Sequence, residues 1–216
     1  MKRPTWIAFD LNGTLLDPAA LLGAGREEIG RVALDEAVMQ AMADTLTGGH
    51  RPFPDYLRAA LERRLELAGD TGEALEAAMQ RAAHLPPFPD AATALGTLAD
   101  AGYRVAVVTN SAADAAADAL RAAALDTHVD EIVGADEVGA YKPDPRVYRH
   151  AADRLGASAG SICLVAAHAW DVLGAMRAGF DAAWVGYREH LLLATVPEPP
   201  IKAPTLAEAS RRLAEL

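Results

Sequence analysis

Five short runs in the chain are almost uninterruptedly apolar: TWIAFD (5–10), RVAVVTN (104–110), EIVGA (131–135), SICLVAA (161–167) and AAWVG (182–186). The best of them show no polar alternation, the pattern of parallel strands covered on both faces. Between them lie stretches with helical spacing of apolar positions: DAATALGTLADAG, ADAAADALRAAAL, PRVYRHAADRLG and WDVLGAMRAG. Most stop at a glycine, as a helix C-terminus does. Strand alternating with helix predicts right-handed crossovers and an α/β fold with a doubly wound, Rossmann-like parallel sheet. Such sheets bind their ligands beyond the carboxyl ends of the strands.

The alternation fails once. From about Pro18 to Leu85 the pattern is helical throughout, over 26–47, 53–68 and 72–84, with GGHRPFPD and LPPFPD as breakers. This predicts an all-helical cap over residues 18–85, inserted into a core formed by 1–17 and 86–216. The C-terminal TVPEPPIKAPTLAEASRRLAEL reads as a proline-rich linker leading to a last amphipathic helix. The alanine-rich helices follow from helix propensity rather than low complexity.

The 216 residues suffice for one large domain or a core with an insertion, and 51% hydrophobic content supports a packed core. A net charge of −10 argues against nucleic acid or an anionic membrane as partner. The single cysteine, Cys163, lies in an apolar run; it reads as core, suits a reducing compartment, and forms no internal disulfide. The N-terminus MKRPTWIAFD lacks a signal-peptide apolar region, so the expectation is a cytoplasmic protein.

Chemistry concentrates at the predicted carboxyl ends. A carboxylate ending a buried strand is costly unless paired or used. Asp10 stands there, as do Thr109 and Asn110; His168 and Asp171 follow LVAA, and Lys142 follows EIVGA. A nucleophile, hydroxyl and amide donors, an ammonium and a second acid thus converge on one rim. His50, His84, His128, His150 and His190 show no metal-ligand spacing. Asp17 reads as a hydrogen-bonding partner of the loop that follows Asp10.

In order and spacing, FDLNGTLLD, VVTNS, YKPDPRVY and AAHAWDVLGA resemble the motifs of the haloacid dehalogenase superfamily across essentially the whole core. The resemblance implies that Asp10 is a nucleophile forming an aspartyl ester, with Lys142 paired to it and Asp171 completing the site. Leu11, Asn12, Thr14, Thr109 and Asn110 would border the substrate. Phosphatases of the superfamily carry a general-acid aspartate where this chain has Asn12, which has no ionisable proton. They also carry a further metal-binding acid where it has Ala167. Both substitutions disfavour a Mg²⁺-dependent phosphatase, which remains the alternative together with a catalytically impaired member that binds a small acid.

YKPDPRVY and HAWD are especially similar to the 2-haloacid dehalogenases, which implies a small-acid substrate, no metal or other cofactor, and often a homodimer. By that likeness Tyr148 lines the site, Asp171 orients the hydrolytic water, and His168, standing in place of an asparagine, assists or acts as base. Trp170 would line the pocket. The chain departs from the pattern at Asn12 and Ala166. The substrate-binding arginine of the first cap helix is replaced by Leu34, with Arg26, Arg31 and Arg51 as nearby substitutes.

Overall fold

The computed structural model describes residues 1–70 and 72–216. Its centre is a parallel sheet of β1 (Trp6–Phe9), β2 (Arg104–Thr109), β3 (Glu131–Gly134), β4 (Ile162–Ala166), β5 (Asp181–Val185) and β6 (Ile201–Ala203). The strand order is β3-β2-β1-β4-β5-β6, and every pairing is parallel. Order reverses at β1, which pairs with β2 on one side and β4 on the other, so the carboxyl end of β1 is the switch point where such sheets place their ligands.

The apolar runs divide between two faces, as strand geometry requires. Ile7, Phe9, Val105, Val107 and Val165 pack on one side with α4 (Ala91–Asp100), α5 (Ala113–Ala122) and α8 (Leu206–Ala214). Trp6, Ala8, Ala106, Val108 and Leu164 pack on the other with α6 (Pro145–Arg154) and α7 (Ala169–Arg177). Local chemistry fixes several helix starts. Asp144 caps α6 by accepting from the Arg146 amide at 2.8 Å, with Pro145 in the first turn, and Thr205 caps α8.

The interval between β1 and β2 is helical. A 3-10 turn at Pro18–Leu21, begun by Asp17 accepting from the Ala19 amide, leads into α1 (Glu27–Leu46), α2 (Phe53–Leu67) and α3 (Gly72–Ala82). The long helices α1 and α2 pack together through Leu34, Ala37, Val38, Leu57, Ala60 and Leu61.

Two expectations need correction. The sheet has six strands rather than five. The proline-rich tail is not wholly linker, because Ile201–Ala203 forms the edge strand β6 against β5. Three residues flanked by prolines carry too little alternation to register as a strand, and pairing with an existing edge supplies what local propensity does not.

Leu164 is fully buried at the middle of β4. Leu164→Ala is expected to lower unfolding free energy by about 2–5 kcal/mol, read as an earlier midpoint in chemical denaturation.

Candidate active site

Asp10 follows β1 directly and is buried. Its Oδ1 accepts from Lys142 Nζ at 2.9 Å, and its Oδ2 accepts from Thr14 Oγ1 at 2.7 Å. His168 Nδ1 lies 3.2 Å from the same Oδ2, a hydrogen bond when that nitrogen carries the proton. Thr14 in turn accepts from the Ala167 amide at 3.0 Å, which ties the loop after Asp10 to the end of β4.

Lys142 is completely buried. Its three ammonium protons are all placed: on Asp10 Oδ1, on the Val108 carbonyl at 2.9 Å, and on Asp171 Oδ2 at 2.6 Å. Its own amide donates to Asn110 Oδ1 at 2.9 Å. The other oxygen of Asp171, Oδ1, accepts from the Tyr148 hydroxyl at 2.6 Å. Tyr148 reaches it because α7 presents Gly174 to α6; a Cβ there would stand 2.5 Å from the tyrosine oxygen.

These partners separate the two carboxylates. For Asp10, burial pushes the carboxyl up, but the Lys142 ammonium and the His168 bond outweigh it and hold the group well below the usual carboxylate range. For Asp171, burial dominates and, with the charge of Asp10, raises the carboxyl despite Lys142. Lys142 itself is opposed by burial, yet the two carboxylates raise it and keep it charged. Burial and the neighbouring Asp171 also push the Tyr148 phenol up, so it stays a proton donor. Two acids whose environments drive them apart form the pattern of a nucleophile and a base.

Residues predicted from sequence therefore gather around Asp10 in two groups. Thr14, Lys142, Tyr148, His168 and Asp171 form one continuous hydrogen-bonded array. Asn12 is turned the other way, donating to Ser111 Oγ at 3.1 Å. Thr109 Oγ1 accepts from the Ser111 amide at 3.1 Å, and Asn110 Nδ2 is buried with no acceptor among the described residues. Trp170 tilts against His168 with ring centroids 5.2 Å apart.

Two cavities flank the loop that follows Asp10. One, of about 360 Å³, carries the charged groups Arg31, Arg188, Glu28, Asp35 and Glu189 beside His168, Trp170 and the apolar Val38, Met39 and Met42. The other, of about 280 Å³, is bordered by Leu11, Asn12 and Ser111 on the core and by Leu34, Phe53 and Met79 on the helices opposite.

The arginine expected on the helices is placed differently. Arg26 pairs with Asp70 at 2.6 Å and Arg51 lies 3.7 Å from Asp44, neither bordering a cavity beside Asp10, while Arg31 borders the charged one. The nearly buried arginine there is Arg188, which sequence reasoning missed. It binds Asp35 of α1, and its Nη1 lies 3.7 Å from where a Gly13 Cβ would stand; His168 Nε2 is 2.9 Å from that point. Its neighbours matter too. Tyr187 donates to the Thr14 carbonyl, and Glu189 accepts from the Ala169 amide at 3.0 and 3.1 Å, capping α7. Position just past the carboxyl end of β5 was the available signal.

The whole stretch 4–179 matches the family model described as haloacid dehalogenase-like hydrolase. The chain is 33% identical to (S)-2-haloacid dehalogenase 1 of Pseudomonas sp. (strain CBS-3) over 80% of both chains. It is 34% identical to (S)-2-haloacid dehalogenase 4A of Burkholderia cepacia, over 80% of this chain and 79% of that one. In structure it superposes on a dehalogenase solved as an intermediate complex, with a TM-score of 0.92, 28% identity and 99% of each chain covered.

Lys142→Met would leave two buried carboxylates without their cation, with an expected loss of about 3–5 kcal/mol. Forcing them to share a proton raises their pKa in the folded state, so this loss should be smaller at pH about 5 than at pH about 8; urea unfolding at both values checks the sign. Gly13 has φ +86° and its absent Cβ would meet His168 Cε1 at 2.6 Å. Gly13→Ala is therefore expected to displace His168 and lower turnover at least tenfold, read by steady-state kinetics.

Proposed function

On the premise that this chain belongs to the haloacid dehalogenase-like hydrolases, we propose that it hydrolyses small 2-haloacids through an aspartyl ester and needs no metal. The observation that carries this reading is the Asp10–Lys142–Asp171 array, with Asn12 in place of a proton donor. An ionised, desolvated carboxylate is a competent nucleophile, and halide leaves without a proton.

An oxygen of Asp10 forms a bond to the substrate α-carbon while the carbon–halogen bond breaks and halide departs with its electron pair. Lys142 holds Asp10 ionised and oriented. Water then adds to the ester carbonyl carbon on Asp10, giving up a proton to Asp171, the more basic carboxylate, with His168 positioning the water. On collapse the ester C–O bond breaks, the leaving oxygen takes the proton from Asp171 to give the 2-hydroxyacid, and the regenerated Asp10 carboxyl loses its remaining proton to solvent. Residues 18–85 act as a cap that excludes water from the ester, over a core of 1–17 and 86–216. Arg188, with Arg31 nearby, supplies the cation for the substrate carboxylate in the charged cavity. The Asn110 amide, left without an acceptor among the described residues, faces the substrate or the departing halide.

Similarity supports the substrate class, since the curated relatives are 2-haloacid dehalogenases. The donor set supports metal-free chemistry. All four carboxylate oxygens of Asp10 and Asp171 already accept from an ammonium, hydroxyl or imidazole, and Ala166 and Ala167 add no side-chain oxygen. A Mg²⁺ ion would have to displace Lys142 from between its two partners.

Halide release from 2-chloropropionate should persist in EDTA and vanish in Asp10→Asn. In Asp171→Asn the ester should accumulate, visible as an adduct in intact-protein mass spectrometry. Release of phosphate from phosphomonoesters only with Mg²⁺, and of no halide, would overturn the proposal.

A further inference from the structure

Of the two cavities beside the loop after Asp10, the 280 Å³ one has a lining unlike the polar chemistry around Asp10. Its walls are Leu11, Leu21, Leu34, Phe53, Leu57 and Met79, and these come from both sides of the joint between core and helices. Its polar groups are Asn12, one residue beyond Leu11 and two beyond Asp10, the Ser111 to which Asn12 donates, and Asp118 of α5. The cavity therefore begins at the two residues that follow Asp10 in the chain and is walled mainly by hydrocarbon.

For comparison, an apolar cavity of about 150 Å³ holds a benzene ring. A space of 280 Å³ is about twice that, and it far exceeds the methyl group of a three-carbon acid. Its position matters as much as its size. The charged cavity, with Arg188, His168 and Trp170, lies on the other flank of the same loop. The loop after Asp10 thus has on one side a compartment of mixed charge, Arg31 and Arg188 among Glu28, Asp35 and Glu189, and on the other an apolar compartment.

We propose that the natural substrate is an amphiphilic 2-haloacid whose alkyl or aryl chain, of roughly four to eight carbons, occupies the apolar cavity under α1, α2 and α3. The inference rests on the dehalogenase reading for its chemistry. Leu34 is then a specificity residue: on α1, it contributes chain-binding surface rather than charge. A charged or bulky side chain there would close the compartment to hydrocarbon.

The test is bromide release from 2-bromopropionate, 2-bromobutanoate, 2-bromohexanoate and 2-bromooctanoate, by the wild-type chain and by Ala82→Phe, which projects a ring into the cavity. In the wild type kcat/KM should rise roughly fourfold per methylene, the equivalent of about 0.8 kcal/mol, at least as far as the hexanoate. In Ala82→Phe that slope should flatten, so that the hexanoate-to-propionate ratio falls toward one. Met79→Trp fills the same space and serves if Ala82→Phe does not fold. A wild-type kcat/KM that falls with chain length, or a slope that survives both substitutions, would overturn the proposal while leaving the dehalogenase reading intact. Absence of bromide release from every acid sinks the chemistry instead. The cavity is then judged by calorimetry with unreactive hexanoate and propionate: hexanoate binding at least tenfold tighter, lost in the filled variants, upholds it, and equal affinities reject it.

Discussion

A single ammonium group buried between two carboxylates is the constraint on which the rest of this structure depends. Lys142 has no access to water, so its charge survives only because Asp10, Asp171 and the Val108 carbonyl take all three of its protons. The converse holds equally, since both acids are buried and would be costly without it. The elements that deliver these groups are therefore held in fixed relation: β1 brings Asp10, the loop after β3 brings Lys142, and the first turn of α7 brings Asp171. Side chains with no charge complete the array. Tyr148 holds the second oxygen of Asp171, and Thr14 joins Asp10 to the Ala167 amide.

This arrangement also creates the chemical asymmetry. The same cation touches both acids, yet Asp10 is held low and Asp171 is raised. His168 adds its bond to Asp10 alone, and Asp171 sits deeper, facing a phenol that remains protonated. One carboxylate is prepared to stay ionised and the other to take a proton, which is the division that a nucleophile and a base require.

The loop after β5 shows how tertiary structure finishes what the strands begin. Three consecutive residues bind three different elements: Tyr187 the loop after Asp10, Arg188 helix α1, and Glu189 the start of α7. Arg188 to Asp35 is a charged contact running from the core to the inserted helices. It borders the charged cavity on which His168 and Trp170 also open. Asymmetry of the two flanking cavities, charged on this side and apolar on the other, follows from which side chains each helix turns inward.

By itself the sequence determined five of the six strands, the doubly wound character of the sheet, the helical interruption after β1 and the residues of the Asp10 array. Continuous apolar runs report burial on both faces, and a carboxyl end with an acid reports a use for it, so both are local signals. Asp10, His168 and Asp171 were legible for that reason, each lying within a few residues of a strand end; Lys142 was read as following β3, and Thr14 came from the resemblance of the motif around Asp10. Only the tertiary structure decided the rest. The edge strand β6 exists because β5 offers an open edge to three residues with little propensity of their own. The arginine beside the loop after Asp10 is Arg188, with Arg31 on the same cavity, while Arg26 and Arg51 are directed elsewhere. Reach across the fold, not distance along the chain, sets which charge meets which. In sequence Leu34 is legible only as the residue standing where the family resemblance calls for an arginine. It becomes a wall of a cavity only once α1, α2 and α3 are laid over the ends of the strands.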